Sequence, residues 1–501
     1  MLHSQSVRFL SMKGCDKVEH DNNRLDALRN NTSVFRIAFV IDLLICQIGY
    51  ISVPAIVIAV FLFLWGLSIF FKNYVYNLNI KKVNYYGWLV LFVATNILTV
   101  IIRGYSDGIW LSVGMILFLP VIFFVFYGLH IEARTDDGRK KIYKEIYVLC
   151  NILLWLSLAI NIVSLITLYT IGKSISYVFG YLVVYENRFT GIYYNPNLMA
   201  FTSFCAAFGC HILWQGDFVR GVTGKPLTKV RRAIILVSAL LNVFVIFLTD
   251  SNAAILIIVC YTIAYICYRW FGGKEIHFGI LFKRALALIV GFVAITATIF
   301  ALRYVTQTGA TQVMSSPEPS VNVFEDRDDE LNKITFEHEN KNIDSGRIKL
   351  FKQGVNVIKH HPFFGVGKGN VTIYGNRYNN NKMKYSDLHN GYLTIIVCSG
   401  FLGFILFLGF AVCLGWRMVR IIFTVKPTIK SDIFPCMASF IAAYCVYAFF
   451  EKTLIYDVTI MTTFFWLVLG YAAVCMERYE GEDFKLYAFS SLSLFKKRQK
   501  K

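Results

Sequence analysis

The sequence predicts an all-α integral membrane protein with about twelve transmembrane helices and one large external loop that contains an amphipathic helix. Three observations support this fold class. The chain of 501 residues is 56% hydrophobic, with a mean hydropathy of +0.55. Its apolar runs are close to the length that a helix needs to cross a bilayer. Positive charge is concentrated in alternate connections between these runs, as in multi-pass membrane proteins.

Twelve apolar runs predict the transmembrane helices. The first two are nearly continuous, with only residues 49–54 as a turn between them. A run of about 17–25 apolar residues spans the hydrocarbon core of a bilayer. The predicted spans are 34–50, 52–71, 85–102, 108–128, 146–171, 196–214, 233–249, 253–268, 285–303, 391–414, 433–450 and 458–476.

Membrane orientation explains the net charge of +19, whose distribution argues against nucleic-acid binding. Counted alternately from the N-terminal tail, the seven connections of the first set carry 33 Lys and Arg, and the four short connections of the second set carry 4. Because Lys and Arg are retained on the cytoplasmic side, the first set is predicted to be cytoplasmic and the second set external. The long connection 304–390 belongs to the second set. Its 11 basic residues do not oppose this orientation, because long loops translocate largely regardless of charge.

The predicted organisation follows from these spans and charges. Residues 1–33 are polar and contain no cleavable signal peptide. None of the twelve cysteines lies in the external loop, which is therefore predicted to contain no disulfide. The five parts are a cytoplasmic tail (1–33), helices 1–9 (34–303), the extracytoplasmic loop (304–390), helices 10–12 (391–476) and a basic cytoplasmic tail (477–501).

The large external loop has two halves of different character. Residues 313–343 are acidic and polar, which predicts a flexible segment. In the second half, apolar residues recur at helical spacing and predict a short amphipathic helix on the membrane surface or over a cavity. Asp344 or Ser345 is expected to cap this helix, and His361-Pro362 to end it. The residues of its apolar face are Ile348, Phe351, Val355 and Ile358.

The sequence predicts neither a metal nor a cofactor. The glycine-rich segment 365–370 lacks the spacing of a nucleotide-binding phosphate loop. His360 and His361 have no carboxylate or cysteine at metal-ligand spacing. His361 is expected to have a structural role at the end of the amphipathic helix.

Two arginines are candidate anion-binding residues. Arg347 lies in the first turn of the amphipathic helix, where free N–H groups and the helix dipole favour an anion. Arg188 precedes the sixth span, in a connection with only one other basic residue. The alternative for Arg347 is a surface arginine that holds a carboxylate. Asn195 and Asn197 flank Pro196, and a helix-capping role explains Asn195 equally well.

His389 and Asn390 lie where the external loop meets the tenth span. An ionisable imidazole at the edge of a membrane helix usually marks a functional path, although a solvated interfacial histidine is the alternative. Asn390 is expected to orient the loop or cap the span. Gly400 and Gly403 follow, as small residues that let another helix approach closely.

Two arginines and a histidine at membrane level suit one type of reaction. Arginines bind a diphosphate through bidentate, charge-assisted hydrogen bonds. A neutral histidine accepts the proton of an acceptor hydroxyl. A diphosphate linked to a lipid arrives from the bilayer as an activated donor, so this chemistry requires neither nucleotide nor metal.

Residues 180–415 resemble the O-antigen ligase and O-antigen polymerase superfamily of bacterial envelope glycan assembly. The matching pieces are RFTGIYYNPNLMAF (188–201), SGRIKLFKQGVNVIKHHPFFGVG (345–367), and His389-Asn390 followed after nine residues by GFLG (400–403). One departure lies at 249–256, where many relatives carry a Ser-Arg pair and this chain has Ser251-Asn252.

The resemblance implies metal-independent transfer of a glycan from an undecaprenyl diphosphate-linked donor to an acceptor glycan or glycolipid at the bacterial cytoplasmic membrane. Carried over by motif, Arg188 and Arg347 would bind the diphosphate, and His389 would act as base or position the acceptor. The superfamily contains ligases and repeat-unit polymerases, and these motifs do not separate them. We favour an O-antigen ligase-like transferase, with a polymerase as the alternative.

A transporter such as a lipid-linked oligosaccharide flippase is the alternative from another class. Transporters usually show pseudo-symmetric halves and charges near mid-membrane. The chain has no internal repeat, and its first span contains two charged residues, Arg36 and Asp42. Arg36 is expected to snorkel to the cytoplasmic face. These features favour the transferase.

Overall fold

The computed structural model describes residues 31–48, 51–171, 183–185, 188–271, 278–315, 347–380, 383, 388–424 and 433–480. These residues form fifteen α-helices and one antiparallel pair of two-residue strands, β1 (Val184–Tyr185) and β2 (Arg188–Phe189). The helices are α1 (Thr32–Ile45), α2 (Ser52–Ile69), α3 (Tyr86–Arg103), α4 (Ile109–Pro120), α5 (Asp136–Ile171), α6 (Pro196–Trp214), α7 (Gly216–Thr223), α8 (Lys229–Leu248), α9 (Asn252–Phe271), α10 (Phe278–Ser315), α11 (Arg347–His360), α12 (Val371–Tyr378), α13 (Gly391–Thr424), α14 (Phe434–Tyr447) and α15 (Ile460–Glu480).

Each of the twelve predicted spans coincides with a helix, which confirms the all-α membrane fold class. Among the described residues, ten helices are long and apolar enough to cross a membrane. The first and eleventh spans correspond to the shorter helices α1 and α14. Helix α10 continues to Ser315, so residues 304–315 of the predicted loop are helical. Most of the predicted flexible segment 313–343 lies outside the described residues, as do both tails apart from 31–33 and 477–480.

Helix α15 is the centre of the bundle, and α10 lies at its edge. Nearly all of the apolar stretch of α15 is buried, whereas none of the corresponding stretch of α10 is. The aromatic ring of Trp466 in α15 stacks on Phe410 and contacts Phe123, and all three side chains are buried. Helix α14 packs on α9, and α6 packs on α5 and α8. This arrangement buries the connection between α14 and α15 at one end of the bundle.

Helix α13 is broken at Gly400, and the segment after α11 docks into the break. Gly400 has φ of 68°, and an added Cβ atom would lie 2.2 Å from the carbonyl oxygen of Phe363. The backbone N–H of Val366 donates to the Val397 oxygen at 2.9 Å, and the N–H of Phe401 donates to the Pro362 oxygen at 2.7 Å. The predicted close approach at Gly400 therefore occurs, but the partner is a loop and not a helix.

The prediction that Arg36 snorkels to the membrane surface is wrong. Its guanidinium is fully buried between the carboxylates of Glu132 and Glu145, and Tyr471 donates to Glu145 at 2.8 Å. Five hydrogen bonds from the guanidinium reach Glu132, Glu145 and the oxygen of Val125. A fully bonded ion pair needs no path to water. We call Arg36, Glu132, Glu145 and Tyr471 the Arg36 cluster.

Candidate functional site

Three of the connections that the charge pattern predicts to be external meet around one buried carboxylate, Glu451. It follows α14 by four residues, in the short connection to α15. Oxygen Oε1 lies 3.8 Å from Nη2 of Arg347 and accepts from Nδ2 of Asn197 at 3.4 Å. Oxygen Oε2 lies 3.5 Å from Nδ1 of His389. With Arg188, these residues form the Glu451 cluster: Arg188, Asn197, Arg347, His389 and Glu451.

Arg188 joins the cluster through Asn197. It stands on β2, and its Nη2 donates to Oδ1 of Asn197 at 2.6 Å, while its Nε donates to the backbone oxygen of Thr249 at 3.0 Å. Asn195 caps α6, with Oδ1 accepting from the Asn197 N–H at 2.8 Å and Pro196 at the first helical position. This cap fixes the first turn of α6, which places the side chain of Asn197 within hydrogen-bonding distance of Arg188.

Arg347 is the first residue of α11 and lies above Glu451. Its side chain is 22% exposed, and its guanidinium also contacts the ring of Phe450, 5.9 Å from the ring centroid. Within the described residues, these are its two contacts. Because the ion pair is long and the side chain reaches solvent, the guanidinium is able to form further hydrogen bonds.

Helix α11 ends before His361-Pro362, as predicted, and the residues that it buries against the bundle are not members of the predicted apolar face. Its buried residues are Gln353, Gly354 and Val357, and Gly354 faces Leu388 and Leu393. Ile348 and Val355 of the predicted apolar face are exposed. Gly354 lets α11 pack closely on α13, and Arg347 at the start of α11 reaches Glu451 and Phe450, which follow α14.

His389 occupies a strained backbone position at the start of α13. Its φ is 47°, in the left-handed region that non-glycine residues adopt uncommonly and that often occurs at functional sites. Nδ1 is buried and makes no hydrogen bond to the described residues. The next residues are held firmly: Oδ1 of Asn390 accepts from the Leu393 N–H at 2.9 Å, and the Gly391 N–H donates to the Ala448 oxygen at 2.7 Å. Asn390 is therefore a cap, as expected, and α13 is tied to the end of α14.

His361 makes its contacts away from the Glu451 cluster. Its Nε2 lies 2.9 Å from the hydroxyl of Tyr378, and its ring meets that of Tyr374 edge-on. Desolvation lowers the pKa of the imidazole from 6.5 to about 4, with smaller contributions from the positive charges of Arg103, His360 and Arg377. These contacts agree with the structural role expected for His361.

Sequence reasoning missed Glu451 and a second charged pair, Arg303 with Asp250. Arg303 of α10 forms an ion pair with Asp250, and its Nη1 donates to Oδ1 of Asn252 at 2.8 Å. Asn252 thus contacts an arginine from another helix. A signal for Glu451 was present: it is an acidic residue directly after an apolar span, in a short connection predicted to be external.

The cluster is suited to an anion with a nearby proton acceptor. It brings together two guanidinium groups, which bind phosphoryl oxygens well, and an imidazole beside a carboxylate. Among the residues that the structure describes, no group of three His, Cys, Asp or Glu side chains is placed to hold a metal ion.

One family model matches the chain over residues 237–408, and its description is O-Antigen ligase. The match begins in α8 and ends in α13, so it includes Arg303, Arg347 and His389, whereas Arg188 and Glu451 lie outside it. No curated protein matches the chain. The family predicted from the sequence motifs is confirmed over the matched residues.

Proposed function

We propose that the chain is an O-antigen ligase-like glycosyltransferase of the bacterial cytoplasmic membrane. The first reason is that residues 237–408 match the O-antigen ligase family model. It moves a glycan from an undecaprenyl diphosphate-linked donor to a hydroxyl of an acceptor glycan or glycolipid, on the external side and without a metal or other cofactor. The observation that most supports this proposal is the meeting of Arg188, Arg347 and His389, from three distant segments, around Glu451.

Arg188 and Arg347 bind the diphosphate in this proposal. A guanidinium presents two parallel N–H donors that match two phosphoryl oxygens, and each such charge-assisted bond is stronger than a neutral one. The side chain of Arg347 is partly exposed and its ion pair with Glu451 is long, and Asn197 orients Arg188 from one side. Negative charge develops on the leaving diphosphate, so these bonds strengthen as the reaction proceeds.

His389 removes the proton of the acceptor hydroxyl. The hydroxyl oxygen forms a bond to the anomeric carbon while the bond from that carbon to the diphosphate oxygen breaks, and the diphosphate leaves with the electron pair. The proton passes to Nε2 of His389, and Glu451 beside Nδ1 stabilises the imidazolium that forms. The separation of 3.5 Å is long for a hydrogen bond, and such contacts often tighten only when substrate is bound.

A repeat-unit polymerase of the same superfamily would use the same donor chemistry and differ in the acceptor. The glycan profile of a deletion strain separates the two. Loss of a ligase leaves long polymer on the lipid carrier, whereas loss of a polymerase leaves single repeat units. We expect long carrier-linked polymer.

The catalytic assignment is tested with the purified protein, a lipid-diphosphate-linked glycan donor and EDTA. His389→Ala should lower turnover by about 10²–10⁴-fold, the usual contribution of a general base. His389→Asn tests the backbone separately, because asparagine tolerates the left-handed conformation but is not a base. It should be as inactive as His389→Ala and as stable as the wild type.

Asn390→Ala and His361→Ala are the matched controls, since both side chains have structural roles: Asn390 caps α13, and His361 contacts Tyr378 away from the cluster. At equal protein amounts both should retain most of the turnover. Near-normal turnover in His389→Asn would remove the catalytic assignment. Loss of wild-type activity in EDTA, restored by a divalent ion, would overturn the metal-free mechanism.

The external location of the site is tested by labelling single cysteines in intact cells. A cysteine at Ser316, in the predicted external loop, should react with an impermeant thiol reagent. A cysteine at Thr223, in a predicted cytoplasmic connection, should not. The reverse pattern would invert the orientation and contradict the proposed external reaction.

A further inference from the structure

Two arginines outside the Glu451 cluster, Arg103 and Arg377, lie beside one aromatic ring. Their guanidinium carbons are 5.8 Å and 5.0 Å from the centroid of the Tyr374 ring. Arg103 also donates from Nε to the backbone oxygen of Gly365 at 2.8 Å. Among the described residues these are the contacts of the two guanidinium groups, and none of them is with a carboxylate. Both groups therefore keep N–H donors that form no hydrogen bond within this part of the chain.

The two positive charges act on the same space. Desolvation is the main cause of the low pKa of His361, about 4, and the charges of both arginines contribute to it. Asp107, the acidic residue of the connection between α3 and α4, is exposed and forms no ion pair with Arg103 or Arg377 among the described residues. Like charges held close together repel each other, so an anion that contacts both arginines is favoured.

The two arginines stand on segments that are fixed to each other. Arg103 ends α3, and Arg377 lies in the last turn of α12. The hydroxyl of Ser106 donates to Oδ1 of Asn370 at 2.6 Å, which joins the connection after α3 to the turn before α12. The hydrogen bond from Arg103 to Gly365 adds a second link between the same two segments. The positions of both guanidinium groups are thus set by hydrogen-bonded backbone.

The boundary of the membrane passes close to this pair. A candidate membrane span ends at Arg103, and the next one begins at Ile109. Ile101, Tyr105 and Trp110 are all more than two thirds exposed. Tyrosine and tryptophan are concentrated at the interface between membrane and water. Arg103 therefore lies at the depth of the lipid headgroups, with apolar side chains exposed directly beside it.

A phospholipid matches this surface better than a soluble anion does. Guanidinium groups bind phosphoryl oxygens through charge-assisted hydrogen bonds, and basic groups beside membrane helices bind anionic headgroups. The exposed Ile101 and Trp110 provide a surface on which acyl chains pack, and a soluble phosphate has no such chains. A zwitterionic headgroup brings its own cation towards the two arginines, so an anionic headgroup is favoured.

This surface is separate from the Glu451 cluster. Arg347 of the cluster begins α11, whereas His361, whose ring meets that of Tyr374 edge-on, follows the end of α11. A helix of this length, 14 residues, extends about 20 Å. The two arginines beside Tyr374 are therefore at the opposite end of α11 from the proposed reaction.

We propose that Arg103 and Arg377 bind the phosphate of an anionic phospholipid, with its headgroup beside Tyr374 and its acyl chains along Ile101 and Trp110. The bound lipid joins α12 to the end of α3, because it contacts one arginine on each. This inference does not depend on glycan transfer. It gives the segment between α11 and α13 an attachment to the membrane that requires a particular class of lipid.

The test measures binding of fluorescent phosphatidylglycerol to the purified full-length protein, delipidated in detergent. Arg377→Ala is the main variant, because the Arg377 guanidinium donates no hydrogen bond to the described residues and its removal breaks none of theirs. It should weaken binding by about 10- to 100-fold, the contribution of hydrogen bonds to a charged group. Arg103→Ala should weaken binding by a similar factor. Lys359→Ala, which removes an exposed positive charge from the last turn of α11, is the control and should bind as the wild type does.

Thermal stability separates lipid binding from a structural role. Without lipid, Arg377→Ala should melt close to the wild type, because it loses only a ring contact. Added phosphatidylglycerol should raise the melting temperature of the wild type, since a ligand that binds the folded state stabilises it, and should raise that of Arg377→Ala less. Arg377→Lys keeps the charge but lacks the planar fork, and its response should fall between the two.

Unchanged phosphatidylglycerol binding in Arg377→Ala would overturn the inference, as would an equal loss in Lys359→Ala, which would indicate a general attraction of anions. Phosphatidylcholine that binds as tightly as phosphatidylglycerol would exclude selection by charge. Glycerol phosphate that binds as tightly would remove the role of the apolar surface and with it the lipid. An acidic oligosaccharide that displaces the phospholipid from the wild type at a lower concentration would assign the two arginines to a glycan instead.

Discussion

Two arginines in this protein pair with acidic side chains under opposite conditions. Arg36 has no exposed side-chain surface and donates five hydrogen bonds, four of them to Glu132 and Glu145. Arg347 is partly exposed, and its ion pair with Glu451 is 3.8 Å long. The donors of Arg36 are all used within the protein, whereas among the described residues Arg347 makes only this long ion pair and a contact with the ring of Phe450.

The extent of internal hydrogen bonding distinguishes an arginine with a structural role, Arg36, from one proposed to bind a ligand, Arg347. A buried, fully bonded ion pair stabilises one arrangement of helices and leaves nothing for a substrate. Arg347, by contrast, is held by a long ion pair to Glu451, the carboxylate that also faces the strained His389. The sequence indicated only part of this difference: the position of Arg347 in the first turn of a helix predicted anion binding, whereas the buried pairing of Arg36 with Glu132 and Glu145 was not predicted.

Replacing the loosely paired arginine should have the largest effect on activity. Arg347→Ala should lower glycan transfer by about 10²–10⁴-fold, because a bidentate contact supplies two charge-assisted bonds of about 1.5–3 kcal/mol each. The protein should still accumulate in membranes at the wild-type level. Arg347→Lys should recover little activity. Full activity in the lysine variant, measured at matched protein amounts, would show that charge alone is sufficient.

Replacing Arg36, whose donors are all hydrogen-bonded, should lower the stability of the protein before it affects activity. Arg36→Ala leaves Glu132 and Glu145 without their partner, and breaking a buried pair in this way costs about 3–5 kcal/mol. We expect a lower melting temperature in detergent and little protein in membranes. A triple variant with Arg36→Met, Glu132→Gln and Glu145→Gln should be more stable than Arg36→Met alone. If Arg36→Ala accumulated normally and lost only activity, the two arginines would not differ as we infer.

Glu451 should have an intermediate effect, because it positions charged groups without contacting the reacting atoms. Glu451→Gln should lower turnover by about 10- to 100-fold through the loss of one interaction of about 1.5–3 kcal/mol with a charged partner. The rate should fall more than the affinity for the donor, since the imidazolium forms during the reaction. Asp457→Asn is the matched control in the same connection, where its carboxylate pairs with Lys452. Equal losses in the two variants would contradict a specific role for Glu451.

The smallest expected effect is on the pH dependence of thermal stability, through His361 at the end of α11. The pKa of His361 is lowered to about 4 in the folded protein, so the unfolded chain, with a value near 6.5, binds the proton more tightly. The contribution of neutral His361 is complete above about pH 6.5 and is lost as the pH falls towards 4. Between pH 7 and 5 the wild type should lose more thermal stability than His361→Gln, which does not titrate. Parallel curves for the two proteins would contradict this assignment.

Much of the fold could be predicted from local pattern. All twelve apolar runs are helices, His361-Pro362 ends α11, and Asn195 and Asn390 cap helices as expected. These features depend on residues within one turn or on the length of a hydrophobic run. Arg188, Arg347 and His389 were singled out because their motifs resemble a known family, before any contact between them was known.

The contacts among those residues required the tertiary structure. Asn197 and Glu451 are 254 positions apart, Arg303 and Asp250 are 53 positions apart, and the loop that enters α13 at Gly400 begins beyond α11. Local periodicity indicates that a helix has an apolar face but not which helix covers it, as the exposed Ile348 and Val355 illustrate. In a membrane bundle the partner of a buried charge is chosen by the packing of distant segments, because an unpaired charge has no water to reach.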